Sequence, residues 1–153
     1  GCDPLNEPAV ARLLQLKQRC WTKGLIVVAQ KVEQLEPLID TRLITPEMRA
    51  SWPGPSTWLV PARCTAPAWL RGKHASLAVR ISAHPQVSLL CATWKGPLVS
   101  TSANVAARRP ARTPLQVRRY FGNSLDHVIA GALGGQTRPT PIRDALTGEL
   151  IRC

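Results

Sequence analysis

The chain has 153 residues, 44% of them hydrophobic and 19% charged, a balance that excludes a disordered tail and suits one core-forming domain. Lys plus Arg number 20 against 9 Asp plus Glu, a formal charge of +11, which favours polyanionic partners such as nucleic acid or nucleotide phosphates. The longest clean apolar run, Leu25 to Ala29, is far short of the ~20 residues that span a bilayer. Asn6-Glu7-Pro8 predicts a helix start, with a capping side chain and an early proline. Val10, Leu13, Leu14 and Lys17 follow at helical spacing, so the helix is expected to run to about Arg19. Gly24 to Ala29 reads as a buried strand. Val32 to Ile39 reads as a short helix, and Thr45-Pro46-Glu47 starts another.

Pro53-Gly54-Pro55 is a stiff turn into the strand Thr57 to Val60. Ser76 to Ser82 alternates with period two, a strand that carries Arg80 on one face. Pro85 to Trp94 reads as a helix, and Pro97 to Ser102 as a strand running into a polar loop. Thr113 to Gln116 is a capping-box start for a helix ending near Gly122. His127 to Ala130 reads as a strand. Ile142 to Leu146 and Glu149 to Arg152 form a hairpin around Thr147-Gly148. The alternation predicts an α/β (α+β) architecture built on a twisted mixed sheet.

Several chemistries lack their residues. Gly72-Lys73 is followed by His74 and the earlier glycine position holds Pro67, so there is no Walker loop. No GxGxxG, HExxH or GxSxG occurs. The five cysteines, Cys2, Cys20, Cys64, Cys91 and Cys153, are widely spaced with no CxxC. That pattern excludes a zinc framework and a disulfide scaffold, and it predicts a reducing, cytoplasmic setting with most thiols buried as small hydrophobes. No metal-binding residues are predicted.

Three segments place polar groups at element ends, where α/β proteins build sites. Lys17-Gln18-Arg19 closes the first helix, with Lys23 just beyond; cations there either grip a polyphosphate or complement the helix dipole. Ser100 to Asn104 follows an apolar strand, and its side chains either meet a ligand or satisfy their own loop. Thr140 and Arg143 approach the terminal hairpin. Separately, Arg108, Arg109, Arg112, Arg118 and Arg119 put five arginines in twelve residues. They form either an RNA-backbone grip or a solvated helix face.

Taken in order, these segments resemble the YrdC-type threonylcarbamoyl-AMP synthases, in their short single-domain bacterial form. The carrying residues are Lys17-Gln18-Arg19 with Lys23 to Ile26, Trp52 to Thr57, Ser76 to Arg80, Ser100 to Asn104, and Ile142 to Gly148. The resemblance implies a twisted mixed sheet with helices around a basic concave cleft, shared with dihydroxybutanone-phosphate synthase. It implies conversion of L-threonine, bicarbonate and ATP into threonylcarbamoyl-AMP and pyrophosphate, for threonylcarbamoyladenosine in tRNA. It assigns Lys17 and Arg19 to catalysis at the ATP phosphates. It assigns Lys23, Arg80, Ser100, Ser102, Asn104 and Thr140 to nucleotide and substrate binding. Magnesium is expected to accompany ATP, and the partners are proteins that use threonylcarbamoyl-AMP in tRNA modification. An RNA-binding module of the same fold, acting in ribosome maturation, is the alternative.

Three departures stand out against that resemblance. The family usually has a YPTET-like strand, and a helix before it, ahead of the residues matching Gly1-Cys2-Asp3-Pro4. Residues 1–153 are therefore expected to be one YrdC-like domain that is N-terminally incomplete, weak in ATP binding, poor at making threonylcarbamoyl-AMP and prone to aggregate. Ala106-Ala107 stands where Ser-Gly is common, and Cys20 where a proline is usual.

Overall fold

The computed structural model describes residues 1–135 and 139–152. Cys153 lies outside them. Helix α1 spans Glu7–Lys17 and begins as expected: Asn6 caps it by accepting the Ala9 amide, with proline in the first turn. It ends two residues early. Gln18 takes the left-handed region, φ 50, and its amide returns to the carbonyls of Leu14 and Gln15. A 3-10 turn, Trp21–Lys23, leads to strand β1, Ile26–Ala29.

The expected helix from Val32 reduces to a 3-10 turn, Val32–Leu35. Pro37 lacks the amide that helix continuation needs and clashes with the preceding turn. A second 3-10 turn spans Thr41–Leu43. Helix α2 is Pro46–Ala50, capped by Thr45. Strand β2, Thr57–Pro61, helix α3, Ala68–Arg71, and strand β3, Ser76–Ile81, follow. Helix α4, Pro85–Trp94, strand β4, Leu98–Ser100, and helix α5, Pro114–Phe121, come next. The hairpin strands are β5, Ile142–Asp144, and β6, Leu150–Arg152.

The six strands form one mixed sheet in the order β4-β1-β3-β2-β5-β6. The pairs β1–β3 and β2–β5 are parallel; β1–β4, β2–β3 and β5–β6 are antiparallel. Alternation assigns the faces. Val27, Val99, Leu77, Val79, Ile81, Trp58 and Val60 point into a core shared with Val10, Leu13, Leu35, Leu38, Ile39, Met48 and Leu70. Ile26, Ala78, Arg80, Leu98 and Ser100 share the opposite face, where every one of them is only half-buried. The core thus fixes the sheet's orientation, and the more open face carries the polar residues.

Residues His127 to Ala130 are not a strand. A strand needs a ladder partner, and this segment pairs with none of the six strands. Side chains take carbonyls in and just after this segment instead: Gln86 Nε2 donates to Ala130 O at 2.9 Å, and His84 Nε2 lies 3.2 Å from Ala132 O. The expectation of mostly buried thiols is also corrected. Only Cys91 is buried among the described cysteines; Cys2 is half-buried, and Cys20 and Cys64 are exposed. Both exposed thiols sit in connecting turns, which run over the surface. Among the described residues, no helix is long and apolar enough to cross a membrane.

Candidate active site

The end of α1 and the exit of β4 meet at one corner. There a cavity of about 210 Å³ is lined by Lys17, Arg19, Cys20, Lys23, Ser102, Asn104, Ala106 and Ala107. It holds five predicted site residues: Lys17, Arg19, Lys23, Ser102 and Asn104. The left-handed Gln18 reverses the chain between Lys17 and Arg19. The two cations therefore leave the helix on different paths.

Lys17 is 6% exposed. Its ammonium donates to Ser102 O at 2.5 Å, Asn104 O at 2.8 Å and Asn104 Oδ1 at 3.3 Å. Burial, and then the charge of Arg19, lower its pKa from the usual lysine value. Ser102 Oγ donates to Asn104 Oδ1 at 2.5 Å, and Asn104 Nδ2 donates to Arg108 O at 2.6 Å. Arg19 donates through Nη2 to Gly24 O at 3.0 Å, while its buried Nε has no partner among the described residues. Lys23 is exposed.

The turn that carries Lys23 is held by close backbone packing. Leu25 N donates to Leu70 O and Lys73 N to Thr22 O. Gly72 sits at φ +65, and a Cβ there would lie 2.4 Å from Thr22 O. Only glycine fits that contact. Cys20 Sγ is 3.0 Å from Thr22 Oγ1. That hydrogen bond, with Lys23 and Lys73 nearby, lowers the thiol's pKa.

Ala107 has φ 64, so the loop adopts a glycine's conformation without the glycine. The left-handed region costs a non-glycine residue roughly 1–2 kcal/mol. Glycine would add back about 0.5–1 kcal/mol of unfolded-state entropy. Ala107→Gly is accordingly expected to stabilise the protein by about 0.5–1 kcal/mol, the difference of those terms. A higher urea midpoint checks this; a lower one refutes it.

Three predicted residues stand away from this cavity's lining. Ser100 pairs with Ile26 on the sheet's open face. Arg80 pairs with Val28 on the same face, with its buried Nε unpartnered among the described residues. Burial lowers its pKa below that of an ordinary guanidinium. Thr140 Oγ1 lies 3.3 Å from the buried Thr57 Oγ1.

The five clustered arginines are all exposed, and α5 has no buried residue. None of the five forms an ion pair among the described residues. The guanidinium of Arg108 lies 5.8 Å from the Tyr120 ring centroid. A contact that sequence reading missed fastens the segment after α5 to α1. Arg12 grips Asp126 at 2.9 and 3.0 Å and donates to Ser124 O at 2.6 Å. Its signal was an arginine on the polar side of α1 with a lone aspartate far along the chain, which no periodicity connects.

The cavity's lining contains no carboxylate, and no group of three or more His, Cys, Asp or Glu converges among the described residues. Such a donor set fits a divalent ion carried on phosphates rather than one held by the protein.

The comparisons with known proteins bear on the family and the fold. The Sua5/YciO/YrdC family, described as telomere recombination, matches residues 1–153. The threonylcarbamoyl-AMP synthase of Methylococcus capsulatus is 52% identical over 154 residues, 99% of this chain and 83% of the relative. That of Photorhabdus laumondii is 52% identical over 156 residues, covering 99% and 82%. Among solved structures, P. abyssi Sua5 complexed with L-threonine superposes with TM-score 0.79 at 27% identity, over 93% of this chain. A variant of P. abyssi Sua5 gives 0.86 at 26% identity, over 98%. This chain spans 42% and 45% of those two structures. The architecture of E. coli YciO is shared at TM-score 0.76 and 21% identity, over 94% of this chain and 71% of that one. With the ordered motifs, the mixed sheet and the full-length match together, the chain belongs to the Sua5/YciO/YrdC family.

Proposed function

We propose that this protein, as one YrdC-like domain, forms threonylcarbamoyl-AMP and pyrophosphate from L-threonine, bicarbonate and ATP in the cytoplasm. The observation that carries this reading is the corner where Arg19 and Lys23 face the Ser102–Asn104 loop across one cavity. The threonine amine and bicarbonate condense to a carbamate with loss of water. A carbamate oxygen then attacks the α-phosphorus of ATP, the bond to the bridging oxygen breaks, and pyrophosphate leaves. The threonine carbamate and ATP are both anionic, so the protein's task is to neutralise charge and align them rather than to supply a strong base. Arg19 and Lys23 do this at the phosphates, and the Arg80 guanidinium, on the sheet's open face, takes a substrate carboxylate. Magnesium bound to the ATP phosphates would supply further neutralisation. The product then passes to proteins that transfer the group to tRNA.

The test is pyrophosphate release from the purified chain. Release is expected only when threonine and bicarbonate accompany ATP, one pyrophosphate per adenylate formed. Release from ATP alone, undiminished when threonine is withheld, would overturn the reading.

The exposure of Arg108, Arg109, Arg112, Arg118 and Arg119 supports a second reading, an RNA-backbone grip. Phosphate contacts make affinity fall steeply with salt, by roughly one log-log slope unit per neutralised phosphate.

A further inference from the structure

The end of α1 holds the β4 exit loop at two levels. The Lys17 carbonyl accepts the Ala106 amide at 2.9 Å. Its ammonium takes Ser102 O, Asn104 O and Asn104 Oδ1. An ammonium has three donors, and here each has an acceptor. Asn104 is engaged at both ends of its amide, by Lys17 and Ser102 on Oδ1 and by Arg108 O on Nδ2. For Lys17 to meet a phosphate it would have to leave two main-chain carbonyls. Arg19, turned away by the left-handed Gln18, makes one side-chain hydrogen bond, through Nη2, and its Nη1 has no partner among the described residues.

We infer that Lys17 is a positioning residue: with Asn104 it locks the loop from Ser102 to Arg108 in shape and touches no phosphate, which Arg19 and Lys23 meet instead. Charge reinforces the choice. A buried ammonium surrounded by carbonyl dipoles is already solvated by the protein. An exposed lysine and an under-used guanidinium gain more from a new anion. The catalytic part of this inference rests on the proposed synthase reading; the locking of the loop does not.

Two readouts test it separately. In ligand-free protein, Lys17→Met is expected to shift the backbone amide resonances of Ser102 to Arg108 and to speed hydrogen exchange at Ala106. Unchanged amides would overturn the lock whatever the protein binds. The second readout is affinity for adenosine, AMP, ADP and ATP. A positioning lysine predicts that Lys17→Met lowers all the affinities by a similar factor, about tenfold for a displaced loop. Arg19→Ala should instead lose more with each added phosphate. A Lys17→Met loss that is absent for adenosine and grows to ATP would overturn the inference. Lys17→Arg keeps the charge and serves where the methionine variant folds poorly. A planar fork cannot reproduce three convergent bonds to one nitrogen, so it should not restore kcat. The double variant Lys17→Met, Asn104→Ala should cost no more in kcat than the worse single variant; full additivity would refute a shared role. If wild-type protein binds no nucleotide, the synthase reading fails, and the amide shifts alone decide the lock.

Discussion

Replacing Arg19 by alanine is expected to weaken ATP binding and slow threonylcarbamoyl-AMP formation by tenfold or more. Arg19 stands just past the left-handed residue that ends α1. Its one side-chain hydrogen bond, from Nη2 to Gly24 O at 3.0 Å, leaves Nη1 without a partner among the described residues. Arg19 lines the cavity that also holds Lys23 and the Ser102–Asn104 loop. A charge-assisted hydrogen bond contributes about 1.5–3 kcal/mol, so losing one is worth roughly tenfold to a hundredfold. The fold should survive, because the side chain contributes little to the core. Calorimetric titration with ATP and a pyrophosphate assay measure the effect. Arg19→Lys should recover only part of it, since an ammonium cannot grip two phosphate oxygens as a planar fork does. Unchanged affinity and rate in Arg19→Ala would remove the residue from the site.

Asn104→Asp is expected to harm activity more than Asn104→Ala. In the native loop Nδ2 donates to Arg108 O at 2.6 Å. Aspartate would put an oxygen against that carbonyl, repelling the segment that the amide closes. It would also add negative charge beside the phosphates. The Lys17 ammonium, 3.3 Å from Oδ1, would attract the new carboxylate, but that attraction pulls the side chain towards α1 and does not mend the broken closure. Alanine removes the same bond without the repulsion or the charge. An unsatisfied partly buried acceptor costs about 1–3 kcal/mol, which sets a loss of about tenfold for alanine. Aspartate should lose roughly a further tenfold, from one more repulsive contact of that size. Both variants should keep the far-UV spectrum of the parent. Near-parental kcat/KM in both would place Asn104 outside the working site.

Much of the fold was legible because its local signals agree with its global ones. The cap and proline at Asn6 to Pro8 start α1 where expected. Strict alternation in Ser76 to Ile81 matches a strand with buried residues on one face and Arg80 on the other. The capping threonines Thr45 and Thr113 each accept an amide at the head of a helix. Where local signals compete, reading along the chain failed. Val32 to Ile39 has helical spacing, but Pro37 stops the helix at a 3-10 turn. His127 to Ala130 has strand-forming residues but pairs with no strand, and the side chains of His84 and Gln86, at the head of α4, take carbonyls nearby.

The candidate site divides along the same line. Sequence by itself determined the chemistry available: a basic chain, cations at a helix end, hydroxyls and an amide after a strand, and an ordered motif set that resembles one family. Those features depend on residue type and order alone. Tertiary structure decided which of these groups are free to act. The reversal at Gln18 sends Lys17 and Arg19 to different neighbours, and only three-dimensional packing brings Ser102, 85 positions along the chain, to the Lys17 ammonium. Whether a cation binds a ligand or the protein depends on how many acceptors surround it once folded, and no linear pattern records that number. Ala107 makes the same point for the backbone: its left-handed φ is imposed by a loop tied down on both sides, at Ala106 to Lys17 and at Arg108 to Asn104, against its own local preference.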